Sequence, residues 1–203
     1  TTTLLIMTYN EIEGMNVIMP RINKDWVDQI IVVDGGSTDG TIEWAQDNGY
    51  QTYVQKRPGF RQAYLEVLPL CIGDIIITFS PDGNSIPELI PELVSKMEEK
   101  YDMVIVSRYL GSARSYDDTF LSAIGNRIFT KTINFLHGGT YTDVMGIYRA
   151  YDVRLVDSLQ LNQDVWYRTP EWIFRVKGLS WEPLLSVRAA RARLEIGEIP
   201  GDE

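Results

Sequence analysis

Short runs of consecutive apolar residues alternate with apolar residues at helical spacing through the first half of the chain. Runs rich in β-branched residues are typical of strands that are buried on both faces of a sheet. They predict strands over residues 4–7, 29–33, 50–55, 74–79 and 102–107. After the first strand, Met15, Ile18 and Ile22 recur at helical spacing, and Asn10 is the expected N-cap of that helix. The alternation predicts an α/β fold with a mainly parallel central sheet flanked by helices.

The second half of the chain has longer helical patterns. One long helix is predicted to end at His137, where Gly138 and Gly139 follow. Its apolar face consists of Phe120, Ile124, Ile128, Phe129, Ile133, Phe135 and Leu136. Further on, the pattern predicts a short strand within residues 143–149, helices over 153–159 and 170–176, and a final strand over 179–187.

Length and charge narrow the class of protein. A chain of 203 residues is enough for one sizeable domain. The formal net charge of −9, from 19 basic and 28 acidic residues, argues against a nucleic-acid binder, which needs a basic face. A single cysteine, Cys71, allows no disulfide within the chain, so we expect a reducing, cytoplasmic location. No apolar run approaches the roughly 18 residues that would span a bilayer.

The residues that follow three of the predicted strands are suited to binding a nucleotide. Open α/β sheets bind their ligands beyond the carboxyl ends of the strands. After the first two strands, Glu11 and Asp34 can accept hydrogen bonds from a base or ribose, while Gly35 and Gly36 let the backbone approach closely. Each motif alone could be a tight turn whose aspartate bonds its own backbone. Three such motifs in succession favour a binding site.

Asp82 lies just past the predicted fourth strand, in the sequence Ser80-Pro81-Asp82-Gly83. A carboxylate in this position can hold a hard divalent cation, which in turn holds phosphate oxygens. Guanidinium groups match phosphate oxygens in a bidentate way. The arginines considered for this role are Arg57, Arg61, Arg108, Arg114, Arg127 and Arg149, and of these Arg61 and Arg108 lie nearest to strand ends.

Several enzyme classes are excluded by missing motifs. The chain has one histidine, His137, so a histidine-based triad or zinc site is not expected. Neither the G-x-G-x-x-G fingerprint nor the P-loop pattern occurs, which removes dehydrogenases and P-loop nucleotidases.

A set of motifs occurs in fixed order along most of the chain. They are T-Y-N-E from Thr8, V-D-G-G-S-T-D-G-T from Val33, S-P-D-G from Ser80, S-R-Y from Ser107, N-R from Asn126, D-V-M-G-I-Y-R from Asp143, and Glu171. Together these motifs resemble the inverting glycosyltransferases of family 2. Within that family the chain is most similar to the branch of dolichyl-phosphate mannose synthase, whose members use polyprenyl phosphate acceptors.

The resemblance implies a single GT-A domain, a nucleotide-binding α/β sandwich, over residues 1–203. The nucleotide-binding half is about residues 1–110, and the acceptor-side half is about 111–203. The residues that it implies for nucleotide binding are Thr8, Tyr9, Glu11, Asp34, Gly36, Ser37, Arg61, Ser80, Pro81 and Asp82. Asp82 is also the implied ligand of Mg²⁺ or Mn²⁺.

On the acceptor side, the resemblance implies roles for Asp143, Arg108 and Ser122. If the acceptor is a hydroxyl, it needs a general base, and Asp143 is the implied base. If the acceptor is a lipid phosphate, it is already anionic, and Arg108 and Ser122 position it. The implied partners are therefore a nucleoside diphosphate sugar and a lipid-phosphate or glycan acceptor. Arg188, Arg191 and Arg193 could also contact the cytoplasmic face of an anionic membrane.

Two alternatives stay open. The family's D-x-D pattern is Ser80-Pro81-Asp82 here, so only the second acid is present. The chain could therefore be a degenerate domain that binds a sugar nucleotide with little or no turnover. A sugar-phosphate nucleotidylyltransferase is a third reading, but it would need a Gly-rich, basic N-terminal loop instead of Thr8-Tyr9-Asn10-Glu11.

Overall fold

A seven-stranded sheet forms the centre of the computed structural model, which describes residues 1–83, 85–113, 120–163 and 181–202. The strands are β1 (Thr2–Thr8), β2 (Gln29–Asp34), β3 (Gln51–Val54), β4 (Ile75–Phe79), β5 (Met103–Ser107), β6 (Arg149–Asp152) and β7 (Ile196–Pro200). The α-helices are α1 (Ile12–Ile18), α2 (Thr41–Asp47), α3 (Phe60–Val67), α4 (Ile90–Glu98), α5 (Phe120–His137), α6 (Leu155–Ser158) and α7 (Trp181–Ala192). Short 3₁₀ helices cover Met19–Arg21, Lys24–Trp26, Leu68–Leu70 and Pro87–Leu89.

The strand order is β3-β2-β1-β4-β6-β5-β7, and every neighbouring pair is parallel except the two that include β6. The mainly parallel α/β sheet that the sequence predicts is therefore confirmed. Because β6 runs in the opposite direction, it starts at the edge where β4 and β5 end. The loop that leads into β6 consequently lies beside the carboxyl ends of the parallel strands.

Helices cover both faces of the sheet, and the strand residues alternate between two apolar clusters. Leu4 and Ile6 pack with α1, α2 and α4, while Leu5 and Met7 pack with α3 and α7. All seven residues of β1 are buried, as expected for a central strand that is covered on both sides.

Three sequence predictions about elements are wrong or incomplete. Residues 181–192 form helix α7 instead of a final strand over 179–187, because Trp181, Leu185 and Ala189 recur at helical spacing and are all buried. The last strand is β7, which the sequence analysis missed. Asn10 does not cap α1; Glu11 occupies the cap position and makes no side-chain capping bond. The helix predicted over 170–176 lies outside the described residues.

Most of the apolar side chains that the structure describes on helix α5, from residue 123 onward, are exposed. Ile133 is buried, but Ile128 is 62% exposed, Phe135 is 88% exposed and Leu136 is 62% exposed. The 3.6-residue pattern correctly predicts the helix, yet its apolar face is not covered by the core. Among the described residues, no helix is both long and apolar enough to span a bilayer.

Candidate functional site

The loop after β2 is built around the buried carboxylate of Asp34. Its Oδ1 atom accepts hydrogen bonds from the backbone N–H groups of Gly36 and Ser37, at 2.8 and 2.7 Å. Its Oδ2 atom accepts from the hydroxyls of Ser37 and Thr8, at 2.5 and 3.0 Å. Gly36 has a φ of +97°, which disfavours a side chain at this turn. Asp34 therefore fixes the shape of the loop, and its contact with a base or ribose stays a prediction.

The loops after β1 and β2 are tied to each other by side chains. Asn10 has a φ of +56°, and its Oδ1 atom accepts from the backbone N–H of Thr38 at 2.9 Å. In return, the N–H of Asn10 donates to the hydroxyl of Ser37 at 2.8 Å, and the N–H of Glu11 donates to Thr41 Oγ1 at 2.9 Å. Asn10 is thus a clamp between two strand ends, and this explains why it does not cap α1.

A cleft of about 340 Å³ lies at the ends of β1 and β2, next to the start of α3. It is lined by Met7, Thr8, Tyr9, Val33, Gly35, Gln55, Pro58, Gly59, Phe60 and Ala63. Tyr9 and Phe60 are each more than half exposed, so their rings are accessible to a flat ligand. A side chain at Gly35 would place its Cβ atom 3.0 Å from the Tyr9 ring. Because Gly35 has no side chain, the ring of Tyr9 can occupy its position at the cleft.

The carboxylates of Glu11, Asp39 and Asp82 lie close together in the loops that follow β1, β2 and β4. Burial and the nearby charges of Asp82 and Asp39 raise the pKa of Glu11 above its ordinary value. A cation would relieve that repulsion, and carboxylate oxygens suit a hard divalent ion. Within the described ranges, however, no three acidic, histidine or cysteine side chains are placed to hold a metal by themselves. Any bound cation would need further oxygen ligands from its substrate or from water.

The turn that carries Asp82 is held against α1 at Gly14. An ideal Cβ atom on Gly14 would lie only 1.7 Å from the carbonyl oxygen of Pro81. Ser80 is half-buried, Pro81 is buried and Asp82 is exposed, so the turn presents its carboxylate to solvent. The close approach of helix and turn depends on glycine at position 14.

Arg108, just past the end of β5, forms an ion pair with Asp143. Arg108 donates from Nε to Asp143 Oδ2 at 2.7 Å and from Nη2 to Oδ1 at 3.2 Å. Asp143 also accepts from Asn126 Nδ2 at 3.0 Å and from the N–H of Met145 at 3.0 Å. Burial alone would raise the pKa of Asp143, but Arg108, Asn126 and Met145 hold it below the ordinary value. The carboxylate is therefore kept ionised and hydrogen-bonded.

Glu198 on β7 supports this pair and was missed by the sequence analysis. Its carboxylate accepts from the N–H of Thr142 at 2.8 and 2.9 Å, from the Thr142 hydroxyl at 2.9 Å, and from the N–H of Asp143 at 3.1 Å. Burial raises the pKa of Glu198. In the structure β7 alternates partly buried and buried residues, but its sequence I-G-E-I-P has no alternation of polar and apolar residues that would predict a strand.

The other residues that the sequence suggests for phosphate binding or for the acceptor fall into three groups. Arg149 is buried in the core, where its guanidinium bonds backbone carbonyls, so it is not available to a phosphate. Arg61 is also buried and donates to the carbonyl of Leu161 at 3.4 Å, while Arg57 pairs with Glu66 at 3.0 Å. Arg114 and Glu171 lie outside the described residues, and so does the side chain of Ser122.

We predict that Arg108→Gln destabilises the protein by about 3–5 kcal/mol near neutral pH, because it leaves the buried Asp143 charge without its partner. The lowered pKa means that ionised Asp143 stabilises the fold above its ordinary pKa of 3.8. This stabilisation is lost as the pH falls through the lowered value. Urea unfolding of both proteins should therefore show a difference in unfolding free energy that shrinks on acidification.

The control for this prediction is Arg154→Gln, which breaks the exposed ion pair between Arg154 and Asp152. Its cost should be much smaller, because exposed pairs are screened by water. A cost for Arg108→Gln that does not change between neutral and acid pH would contradict the prediction.

The fold is that of the GT-A glycosyltransferases. A crystal structure of glucosyl-3-phosphoglycerate synthase from Mycobacterium tuberculosis with Mn²⁺, uridine diphosphate and glucosyl-3-phosphoglycerate is similar to all of this chain, with a TM-score of 0.70 at 17% identity and 70% of that chain covered. The structure of another mycobacterial protein also covers the whole chain, with a TM-score of 0.74 at 19% identity and 65% of its own length.

The chain belongs to glycosyltransferase family 2. The family model described as Glycosyl transferase family 2 matches residues 3–159. Glycosyltransferase AglJ of Haloferax volcanii is 32% identical over 149 residues, which are 73% of this chain and 49% of AglJ. Undecaprenyl-phosphate 4-deoxy-4-formamido-L-arabinose transferase of Enterobacter sp. (strain 638) is 26% identical over 171 residues, 77% of this chain and 50% of the enzyme. The chain thus spans about half the length of these curated relatives.

Proposed function

We propose that this domain transfers a sugar, with inversion, from a nucleoside diphosphate sugar to a lipid-phosphate acceptor. The observation that carries the proposal is the row of groups along one edge of the sheet. The cleft with Tyr9 and Phe60 lies at the ends of β1 and β2, and the carboxylate of Asp82 follows β4. The Arg108–Asp143 pair lies just past the end of β5. The order suits a base, a diphosphate and an acceptor lying side by side.

The donor's base would lie in the cleft between the ends of β1 and β2. The exposed rings of Tyr9 and Phe60 offer stacking surfaces, and the rigid Asp34 loop offers backbone near the ribose and diphosphate. Solved structures of the same fold contain uridine diphosphate, which supports a nucleotide in this region. The base itself is left to experiment.

Asp82, with Glu11 nearby, would hold a divalent cation, Mg²⁺ or Mn²⁺, together with oxygens of the donor. When bound, the cation would offset the negative charge that develops on the leaving diphosphate. The raised pKa of Glu11 is consistent with a place that lacks positive charge. The Mn²⁺ in the synthase structure supports the same chemistry.

The acceptor is best explained as a phosphate. A hydroxyl acceptor would need a general base, and Asp143 is a poor base because Arg108 and Asn126 hold its pKa low. A phosphate oxygen is already anionic, so it can attack the anomeric carbon directly while the bond to the diphosphate breaks on the opposite face. The relative named as an undecaprenyl-phosphate transferase supports this class of acceptor. Arg108 and Ser122 stay as proposed positioning groups.

A second candidate is a domain that binds sugar nucleotides but turns over little. The observation in its favour is Ser80, where the family's first metal-binding acid would stand. Product analysis would distinguish a glycosyltransferase from a sugar-phosphate nucleotidylyltransferase, because the nucleotidylyltransferase would release pyrophosphate instead of a nucleoside diphosphate.

The test is calorimetric binding of UDP, GDP and dTDP, each with and without Mn²⁺, to the wild type and Asp82→Ala. We expect one nucleotide to bind, Mn²⁺ to strengthen its binding, and Asp82→Ala to raise its Kd at least about tenfold in the presence of metal. Asp47→Ala is the matched control, because Asp47 is an exposed acid at the far end of α2.

The other outcomes have clear meanings. Binding that is independent of metal and unchanged in Asp82→Ala would favour the binding-only domain. No binding of any of the three nucleotides would overturn the proposal.

A further inference from the structure

Two cations on α5 line a second cleft, on the acceptor side of the sheet. Arg127 and Lys131 are exposed and one helical turn apart, and the cleft of about 300 Å³ beside them is also lined by Tyr109, Thr130, Tyr141 and Thr142. In the described part of the chain, neither cation makes a hydrogen bond or ion pair. Two neighbouring cations beside a cleft are suited to binding an anion.

This cleft is joined to the Arg108–Asp143 pair. Asn126, which precedes Arg127 on α5, donates to Asp143 at 3.0 Å. The ring of Tyr109 is near both guanidinium groups, with its centroid 5.5 Å from Arg108 Cζ and 6.0 Å from Arg127 Cζ. An anion held by Arg127 and Lys131 would therefore lie next to the site at which the acceptor is proposed to react.

The apolar stripe of α5, defined as Ile124, Ile128 and Phe135, runs beside the two cations. At about 100° per residue, these three side chains fall within about 40° of one another on the helix, and Lys131 lies about 20° outside that arc. The stripe is exposed along its length, and Phe135 is almost fully so. One helix surface thus combines a cationic edge with an uncovered apolar stripe.

We propose that α5 binds an amphiphilic lipid phosphate, with the phosphate at Arg127 and Lys131 and the hydrocarbon chain along the apolar stripe. The inference deepens the proposed function, since it takes this lipid to be the acceptor and adds Arg127 and Lys131 to Arg108 and Ser122 as groups that would position its phosphate. Charge and apolarity match the two parts of such a ligand in one continuous surface.

The proposal is tested by calorimetric binding of citronellyl phosphate and inorganic phosphate, without any sugar nucleotide. Wild type should bind citronellyl phosphate at least about tenfold more tightly than inorganic phosphate. The double variant R127Q/K131Q should weaken both by a similar factor. The double variant I128E/F135E should keep phosphate binding and lose the gain that the hydrocarbon chain provides.

Matched controls are Lys100→Gln and Ile72→Glu, which change an exposed lysine and an exposed apolar residue away from α5. Both should bind citronellyl phosphate like the wild type. Circular dichroism tests whether every variant is folded, and the nucleotide that the wild type binds with Mn²⁺ should bind equally to all of them.

Two results would overturn the inference. One is citronellyl phosphate binding that survives in both α5 double variants. The other is a wild-type dimer that I128E/F135E converts to a monomer, which would make the stripe a contact between copies. Because no donor is present, failure of the proposed function is seen separately, as a wild type that binds none of UDP, GDP and dTDP.

Discussion

Gly14→Ala is expected to weaken metal-dependent nucleotide binding at least about tenfold, although the residue contacts no nucleotide in the proposed site. The new Cβ atom would lie 1.7 Å from the carbonyl oxygen of Pro81, so the turn that carries Asp82 must move away from α1. Such a displacement is also expected to cost about 1–3 kcal/mol of stability. Calorimetry with Mn²⁺, together with thermal unfolding, measures both effects.

Gly125→Ala is the matched control, because a Cβ atom at Gly125 meets no other atom within 4 Å. Alanine is the better helix former, so this variant should gain about 0.5–1 kcal/mol and bind the nucleotide unchanged. If Gly14→Ala stays folded and binds like the wild type, the turn does not depend on this packing, and the proposed position of Asp82 loses its support.

Arg149→Met is expected to cost about 3–5 kcal/mol of stability and to lower the melting temperature by about 10 °C. Arg149 is fully buried, and its guanidinium donates to the carbonyls of Gly146, Val144 and Glu182 and to the hydroxyl of Ser186. Methionine fills similar space but leaves these acceptors without donors. Urea and thermal unfolding measure the loss.

Arg191→Met serves as its control, since Arg191 is an exposed arginine on the helix that packs over Arg149. It should unfold at the wild-type temperature. Equal stability of Arg149→Met and wild type would mean that the buried hydrogen bonds contribute nothing net, contrary to the expected cost of unsatisfied carbonyls.

The sequence predicted the strands of the first half of the chain well, because strands buried on both faces are nearly continuous apolar runs. β1, β2, β4 and β5 all lie where those runs occur, and Asp34 and Asp82 lie at strand ends as predicted. Local composition was sufficient there, since each of these strands is a short apolar run of five to seven residues.

The second half of the chain could not be predicted to the same degree, because its features depend on contacts between distant residues. The antiparallel direction of β6 and the carboxylate of Glu198 against Thr142 are tertiary facts that no local pattern records. The same holds for Asn10, whose partner Thr38 lies 28 residues away. Helix α5 shows most clearly what sequence periodicity cannot predict. The periodicity predicts a helix, but it does not indicate which face of the helix the core covers.

The interior position of β6 also affects how the domain can fold during synthesis. Until residues 149–152 leave the ribosome, β4 and β5 cannot be joined, and each presents an open edge that could pair wrongly. β7 then closes the far side of β5 only when the chain has reached residue 200. β4 and β5 therefore depend on residues that are synthesised later, and loop closure over such distances is intrinsically slow. For a nascent chain, the two halves of the sheet are a single folding unit.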